Sequence, residues 1–118
     1  MEKEPYFERA LNWARQTGFY GLKANFEGYE TPSQFKNPEE EMPYTPDITG
    51  NRTGGKCYIE IALKNENVQR RVSKWKLLNT LANMKGGKLF LLTPRGHKAF
   101  VEDIVRVHNL SAKIVYLK

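Results

Sequence analysis

The chain has 118 residues, 40% of them hydrophobic, with 19 Lys/Arg against 13 Asp/Glu for a net charge of +6. That length suits a single domain, 1–118, able to bury a core without staples. A lone Cys57 excludes an internal disulfide framework, no apolar run approaches the ~18 residues of a membrane span, and residues 1–5 have no signal-peptide character, so a reducing, cytoplasmic setting is expected.

Residues 3–17 read as an amphipathic helix, because Tyr6, Phe7, Ala10, Leu11 and Ala14 recur at helical spacing and Gly18 follows as a terminator. Phe19 to Phe26 reads as a strand ending before Gly28. Residues 28–45 hold Pro32, Pro38, Pro43, the acidic run Glu39-Glu40-Glu41 and the aromatics Tyr29, Phe35 and Tyr44. They read as one extended loop, of a length usually functional or disordered. Its aromatics either stack on bases or pin the loop to its own domain, and the second role is the stronger expectation. Pro46 biases Thr45 towards extended geometry and so towards strand entry.

Tyr44 to Ile48 and Cys57 to Lys64 read as two strands around a tight Gly/Asn-containing turn. Positions 47 and 60 are symmetric about Thr53/Gly54, which puts Asp47 and Glu60 opposite each other on one face of an antiparallel pair. Like charges repel there, whereas a divalent cation between them turns the repulsion into binding. Along the second strand Cys57, Ile59, Ile61 and Leu63 form a core face, and Tyr58, Glu60, Ala62 and Lys64 a mixed face expected to line a cleft. Asn65 or Asn67 then caps a helix over 68–84 whose apolar stripe is Val68, Val72, Trp75, Leu78 and Ala82, ended by Gly86-Gly87. Lys88 to Leu92 reads as a buried strand. Thr93 as cap and Pro94 at the first position predict a helix over 95–107, and Ala112 to Leu117 a last strand.

The fold class is therefore α/β: a mixed sheet flanked by helices, in the order helix, strand, strand, strand, helix, strand, helix, strand. The first three strands form a meander and the later strand–helix–strand unit lies parallel by a right-handed crossover.

Charge is unevenly distributed. Residues 1–48 carry a net −4 and residues 49–118 a net +10, which suggests a polyanionic partner, nucleic acid first. After the carboxylate pair, Gln69, Arg70, Arg71, Lys74 and Lys76 lie within eight residues that contain no acid. Arg52 and Lys56 flank the turn, and Arg95 and Lys98 stand at the expected third helix start, where free N–H groups favour phosphate. His97 and His108 have no partner that would make a metal site or a nucleophilic triad.

In this element order, Pro46-Asp47 followed thirteen residues later by Glu60 resembles the PD-(D/E)xK nuclease superfamily, which includes restriction endonucleases and Holliday-junction resolvases. The resemblance covers most of the chain as element order and a few residues as motif. It implies Mg²⁺ or Mn²⁺ held by Asp47, Glu60 and the Ile61 carbonyl, phosphodiester hydrolysis of DNA, and a homodimer if both strands of a duplex are cut. The motif lysine is expected two residues after Glu60, where the chain has Ala62. Lys64 lies roughly 6–7 Å further along the strand, and Lys74 or Lys76 on the next helix are the other substitutes. The resemblance also carries Glu8, as an acid from the first helix, and Gln69, near the metal. Glu8 lies off the apolar stripe, where a surface role competes. Ala62 motivates an alternative: a catalytically inactive nuclease-fold domain that binds nucleic acid or a protein partner.

Overall fold

The computed structural model describes residues 3–36, 38–64 and 67–118. Eight elements follow in order: α1 (Glu4–Gln16), β1 (Tyr20–Ala24), β2 (Ile48–Arg52), β3 (Gly55–Ile61), α2 (Val68–Met84), β4 (Leu89–Pro94), α3 (Lys98–Val107) and β5 (Lys113–Leu117). The strands form one sheet in sequence order; β1–β2 and β2–β3 are antiparallel, and β3–β4 and β4–β5 are parallel. This is the mixed sheet with flanking helices expected from the pattern. Among the described residues no helix is long and apolar enough to cross a membrane.

Both faces of the sheet are covered. On one, α1 presents Phe7, Ala10, Leu11 and Ala14 to Cys57, Ile59, Ile61, Leu63, Phe90 and Leu92. On the other, Val72, Trp75, Leu78 and Ala82 of α2 and Val101 and Ile104 of α3 cover Tyr58, Ala62, Leu89 and Leu91. The first four residues of β4, Leu89 to Leu92, therefore read as a continuous apolar run, as a strand sandwiched between two layers must. The face of β3 expected to line a cleft is in fact this second core, because α2 lies across it; Glu60 is buried there and only Lys64 emerges.

Several boundaries differ from expectation: β1 spans Tyr20–Ala24 and not Phe19 to Phe26, β2 spans Ile48–Arg52 and not Tyr44 to Ile48, β3 spans Gly55–Ile61 and not Cys57 to Lys64, and the start of α3 shifts. Strand β2 begins at Ile48, one residue after Asp47, because the Asp47 N–H is taken by Glu60 Oε2 at 2.7 Å and its carbonyl by Asn25 N–H at 2.8 Å. Thr93 and Pro94 do not start a helix. They end β4, paired with Tyr116 and Leu117 of β5, and Thr93 Oγ1 donates to the Val115 carbonyl. The β3 side of the ladder has stopped at Ile61–Leu92, so the missing N–H of Pro94 breaks no pairing there. Helix α3 starts at Lys98, past a turn in which Gly96 adopts φ 88°.

The 28–45 loop is pinned to the domain. Phe35 and Tyr44 exchange backbone hydrogen bonds at 2.8 and 2.6 Å, Tyr44 is buried and donates to the Glu40 carboxylate, and Phe35 meets the Tyr58 ring edge-on at 5.9 Å. Burial and the Glu40 hydrogen bond raise the Tyr44 hydroxyl above its ordinary pKa, so it remains the donor.

Candidate metal and nucleic-acid site

The β2–β3 register pairs Ile48 with Ile59, and one further step sets Asp47 against Glu60. Both carboxylates are buried, Glu60 completely. Their backbones lock them in place: Asp47 N–H donates to Glu60 Oε2, and Ile61 N–H donates to Asp47 Oδ2 at 2.9 Å. Two buried like charges this close are tolerable only with compensating cations.

Two ammonium groups supply that compensation. Lys74, on the buried side of α2, brings Nζ to 2.9 Å from Glu60 Oε1 and 3.7 Å from Asp47 Oδ1. Lys3, at the position preceding α1, brings Nζ to 2.7 Å from Asp47 Oδ2 and 3.9 Å from Glu60 Oε1. Both lysine side chains are 14% exposed. Burial alone would raise the Asp47 carboxyl, but the charges of Lys3 and Lys74, the Lys3 hydrogen bond and the Ile61 N–H outweigh it and hold Asp47 below its ordinary value. Burial likewise pulls Lys74 down, while Glu60 and Asp47 push it up by more, so Lys74 stays a cation across the neutral range.

Two oxygens of the pair are available to a cation. Among the described residues Asp47 Oδ1 and Glu60 Oε1 meet only ammonium groups, the closest being Lys74 Nζ at 2.9 Å from Oε1. Hard carboxylate oxygens of this kind suit Mg²⁺ or Mn²⁺. Among the described residues no third His, Cys, Asp or Glu joins them. A divalent ion there would complete its shell with a backbone carbonyl, Ile61 being the neighbour on β3, and with water, as Mg²⁺ commonly does.

Beside the pair opens a cleft of about 380 Å³, lined by Lys3, Asn25, Pro43, Tyr44, Thr45, Asn67, Arg70, Arg71 and Lys74. No acid lines it. The first turn of α2 forms one wall, held by the Asn67 side chain, which accepts the Arg70 N–H at 3.3 Å. The Arg70 guanidinium lies 4.2 Å over the Tyr44 ring and donates to the Pro43 carbonyl. The Arg71 Nη1 is buried in this wall and has no hydrogen-bond partner among the described residues.

The other expected site residues lie elsewhere. Lys64 is exposed, and its backbone N–H donates to His97 Nδ1 at 2.7 Å, which gives that histidine an anchoring role at the end of β3. Lys76 and Gln69 sit on the exposed side of α2, outside the cleft lining. Glu8 lines a separate depression with Glu4, Pro5, Phe26, Glu27 and Gly28. Arg95 and Lys98 are exposed beside the displaced start of α3. Arg52 lies over the Phe19 and Phe90 rings, at 4.7 and 5.4 Å, and Lys56 is near the Tyr58 ring, both towards the hairpin end of the sheet. Sequence reasoning missed Lys3: it lies 44 residues from Asp47, and no local spacing signals the contact.

Comparison with known proteins adds no relative: no family model, no curated protein and no solved structure matches the chain.

Proposed function

We propose that this chain is a divalent-metal-dependent DNA endonuclease of PD-(D/E)xK type in which Lys74 replaces the lysine missing at Ala62. One observation carries the reading: Lys74 Nζ reaches both carboxylates, at 2.9 and 3.7 Å, from the helix that follows the motif strand. That contact supports drawing the lysine of the motif from α2.

Asp47, Glu60 and the Ile61 carbonyl would hold the ion, whose chemistry is Lewis-acid stabilisation of the charge that builds on the scissile phosphate. Lys74 is a cation, not a base, since its pKa is raised. Its part is to donate to the attacking water or to a phosphate oxygen and to offset developing negative charge. Arg70 and Arg71 line the approach and contact the DNA backbone as counterion-releasing groups, without reading sequence. In the net reaction the water oxygen bonds to phosphorus, one ester oxygen departs, and that oxygen takes up a proton.

The test is incubation with branched, nicked, single-stranded and plasmid DNA in Mg²⁺ or Mn²⁺. Cleavage is expected from the parent and should be lost in Asp47→Ala, Glu60→Ala and Lys74→Met. If no substrate is cut, or if Asp47→Ala cuts as well as the parent, the reading fails.

A second reading has its own support. Lys3 and Lys74 already neutralise both carboxylates, so the site is electrically complete without a metal. A nucleic-acid-binding module that has lost catalysis needs nothing more. It predicts salt-dependent DNA binding that survives Asp47→Ala and weakens in Arg70 and Arg71 variants, with no cleavage by the parent.

A further inference from the structure

Beyond the two carboxylates and Lys74, the site holds a cation that the nuclease reading leaves without a task. Lys3 Nζ stands 2.7 Å from Asp47 Oδ2 and 3.9 Å from Glu60 Oε1, between the two groups that would hold a metal. With Lys74 also present, the four side chains sum to zero charge. Adding a dication while both ammonium groups remain would bring two positive groups against it at close range in a buried setting, and such repulsion is poorly screened.

We infer that Lys3 is an exchangeable gate on the metal site: its ammonium, bonded to Asp47 Oδ2 and close to Glu60 Oε1 in the metal-free protein, must swing out before Mg²⁺ or Mn²⁺ binds. The inference rests on the metal-site reading of Asp47 and Glu60.

The geometry selects Lys3, not Lys74, as the group that leaves. Lys74 lies in the body of α2, seven positions after the Asn67 cap, with its backbone fixed by the helix. Its Nζ is the ammonium closest to the fully buried Glu60, at 2.9 Å from Oε1. Lys3 stands at the position preceding α1, and its side chain makes no capping bond. Lys3, like Lys74, lines the cleft, so its ammonium has open space to enter by rotation about side-chain bonds alone. Outside the pair, the cleft wall it would meet is made of Asn25, Pro43, Tyr44 and Thr45 on the loop side and of the cationic Arg70 and Arg71 on α2. Among the described residues no carboxylate lines that cleft.

A gate of this kind lowers the apparent metal affinity by the fraction of molecules in which Lys3 is out. With that open state populated at up to about 10%, removing the ammonium tightens binding about tenfold or more. The experiment is calorimetric titration of Mn²⁺ into the full chain, with no nucleic acid, for the parent, Lys3→Met, Lys3→Arg and Asp47→Asn. Thermal melts in chelator and in Mn²⁺ accompany each protein. Lys3→Met is expected to bind about tenfold more tightly than the parent, with a lower melting temperature in chelator that Mn²⁺ restores. Lys3→Arg keeps the cation and should stay within about threefold of the parent. If Lys3→Met binds no more tightly than the parent while Asp47→Asn abolishes binding, the gate is refuted and the metal site stands. If no protein in the set binds Mn²⁺ and none is stabilised by it, the metal-site reading falls and the gate with it. Should Lys3→Met fail to fold in chelator, tighter binding by a Lys3→Gln variant purified in Mn²⁺ and then stripped decides the matter, and unchanged affinity there overturns the gate.

Discussion

The two ends of β3 carry the same kind of residue and use it in opposite ways. At the Glu60 end, Lys3 and Lys74 are buried against carboxylates and their charges are consumed in pairs. At the hairpin end, about 13 Å away along the strand, Arg52 covers Phe19 and Phe90 and Lys56 and Lys85 lie against Tyr58. There cations close the edge of an aromatic core through their long stems and ring faces. A count of lysines and arginines does not distinguish these ends. What separates them is whether buried carboxylates await the charge.

The hairpin end is also held by backbone contact. A Cβ at Gly87 would fall 1.8 Å from the Lys56 carbonyl oxygen, and one at Gly55 would fall 2.2 Å from the Gly86 carbonyl oxygen. The turn after α2 therefore packs backbone to backbone on β3, which only glycine permits. One end is specified by charge and the other by close approach.

The largest effect is expected from breaking the charged end alone. Lys74→Met leaves fully buried Glu60 with Lys3 only at 3.9 Å. Stability in metal-free buffer should fall by about 3–5 kcal/mol, read from urea unfolding. Adding Glu60→Gln to Lys74→Met should recover part of that loss, since the uncompensated charge is gone. A loss under about 1 kcal/mol for Lys74→Met would show that the pair is open to water and that the contrast between the ends is overstated.

Gly87→Ala tests the other end. Backbone must move against backbone, and about 3 kcal/mol of stability should be lost. The same variant should leave Mn²⁺ affinity as in the parent, because the two ends are separate. Altered metal binding in Gly87→Ala would join them into one unit.

Acid titration sharpens the contrast further. The folded-state pKa of Asp47 is lowered, so its contribution is present above the unfolded value and is lost as pH falls below about 4. Lys74 has a raised pKa, so its contribution is complete below its unfolded value and is lost as pH rises through the folded one. Unfolding free energy against pH should therefore drop at both extremes, and Asp47→Asn should flatten the acid limb. An acid limb as steep in that variant as in the parent would assign it to other carboxylates.

The smallest effects separate the ends by function. If the cleft grips DNA, Arg71→Gln should reduce the slope of log affinity against log salt by about one. Lys56→Gln should change the slope less. Burial and the neighbouring charges of Lys85 and Lys23 lower the pKa of Lys56. Its replacement should leave stability within about 0.5 kcal/mol of the parent, on the stabilising side. Equal slope changes in both variants would make the whole basic surface one binding face.

Much of the fold was legible because its signals are local. Helical spacing of Phe7, Ala10, Leu11 and Ala14 marked α1, and Val72, Trp75, Leu78 and Ala82 marked α2 within a residue of its ends. Thr93-Pro94 misled because a cap and an N1 proline are also compatible with a strand end, and pairing with β5 decided between them. The alternation along β3 was read correctly as two faces. That the second face is core and not cleft depended on α2 lying over it, which no window of sequence contains.

The candidate site divides along the same line. Sequence alone determined that Asp47 and Glu60 oppose each other, because strand periodicity and a short hairpin set the register through neighbouring residues. It also exposed the missing lysine at Ala62. Only the tertiary structure decided which cations answer the pair. Lys74 arrives from a helix packed across the sheet and Lys3 from the far side of the chain, and each is placed by the burial of apolar side chains in the two cores rather than by its own neighbours. Such contacts are selected by packing over long chain separations, so side chains 44 residues apart can complete one charged site without any local trace of it.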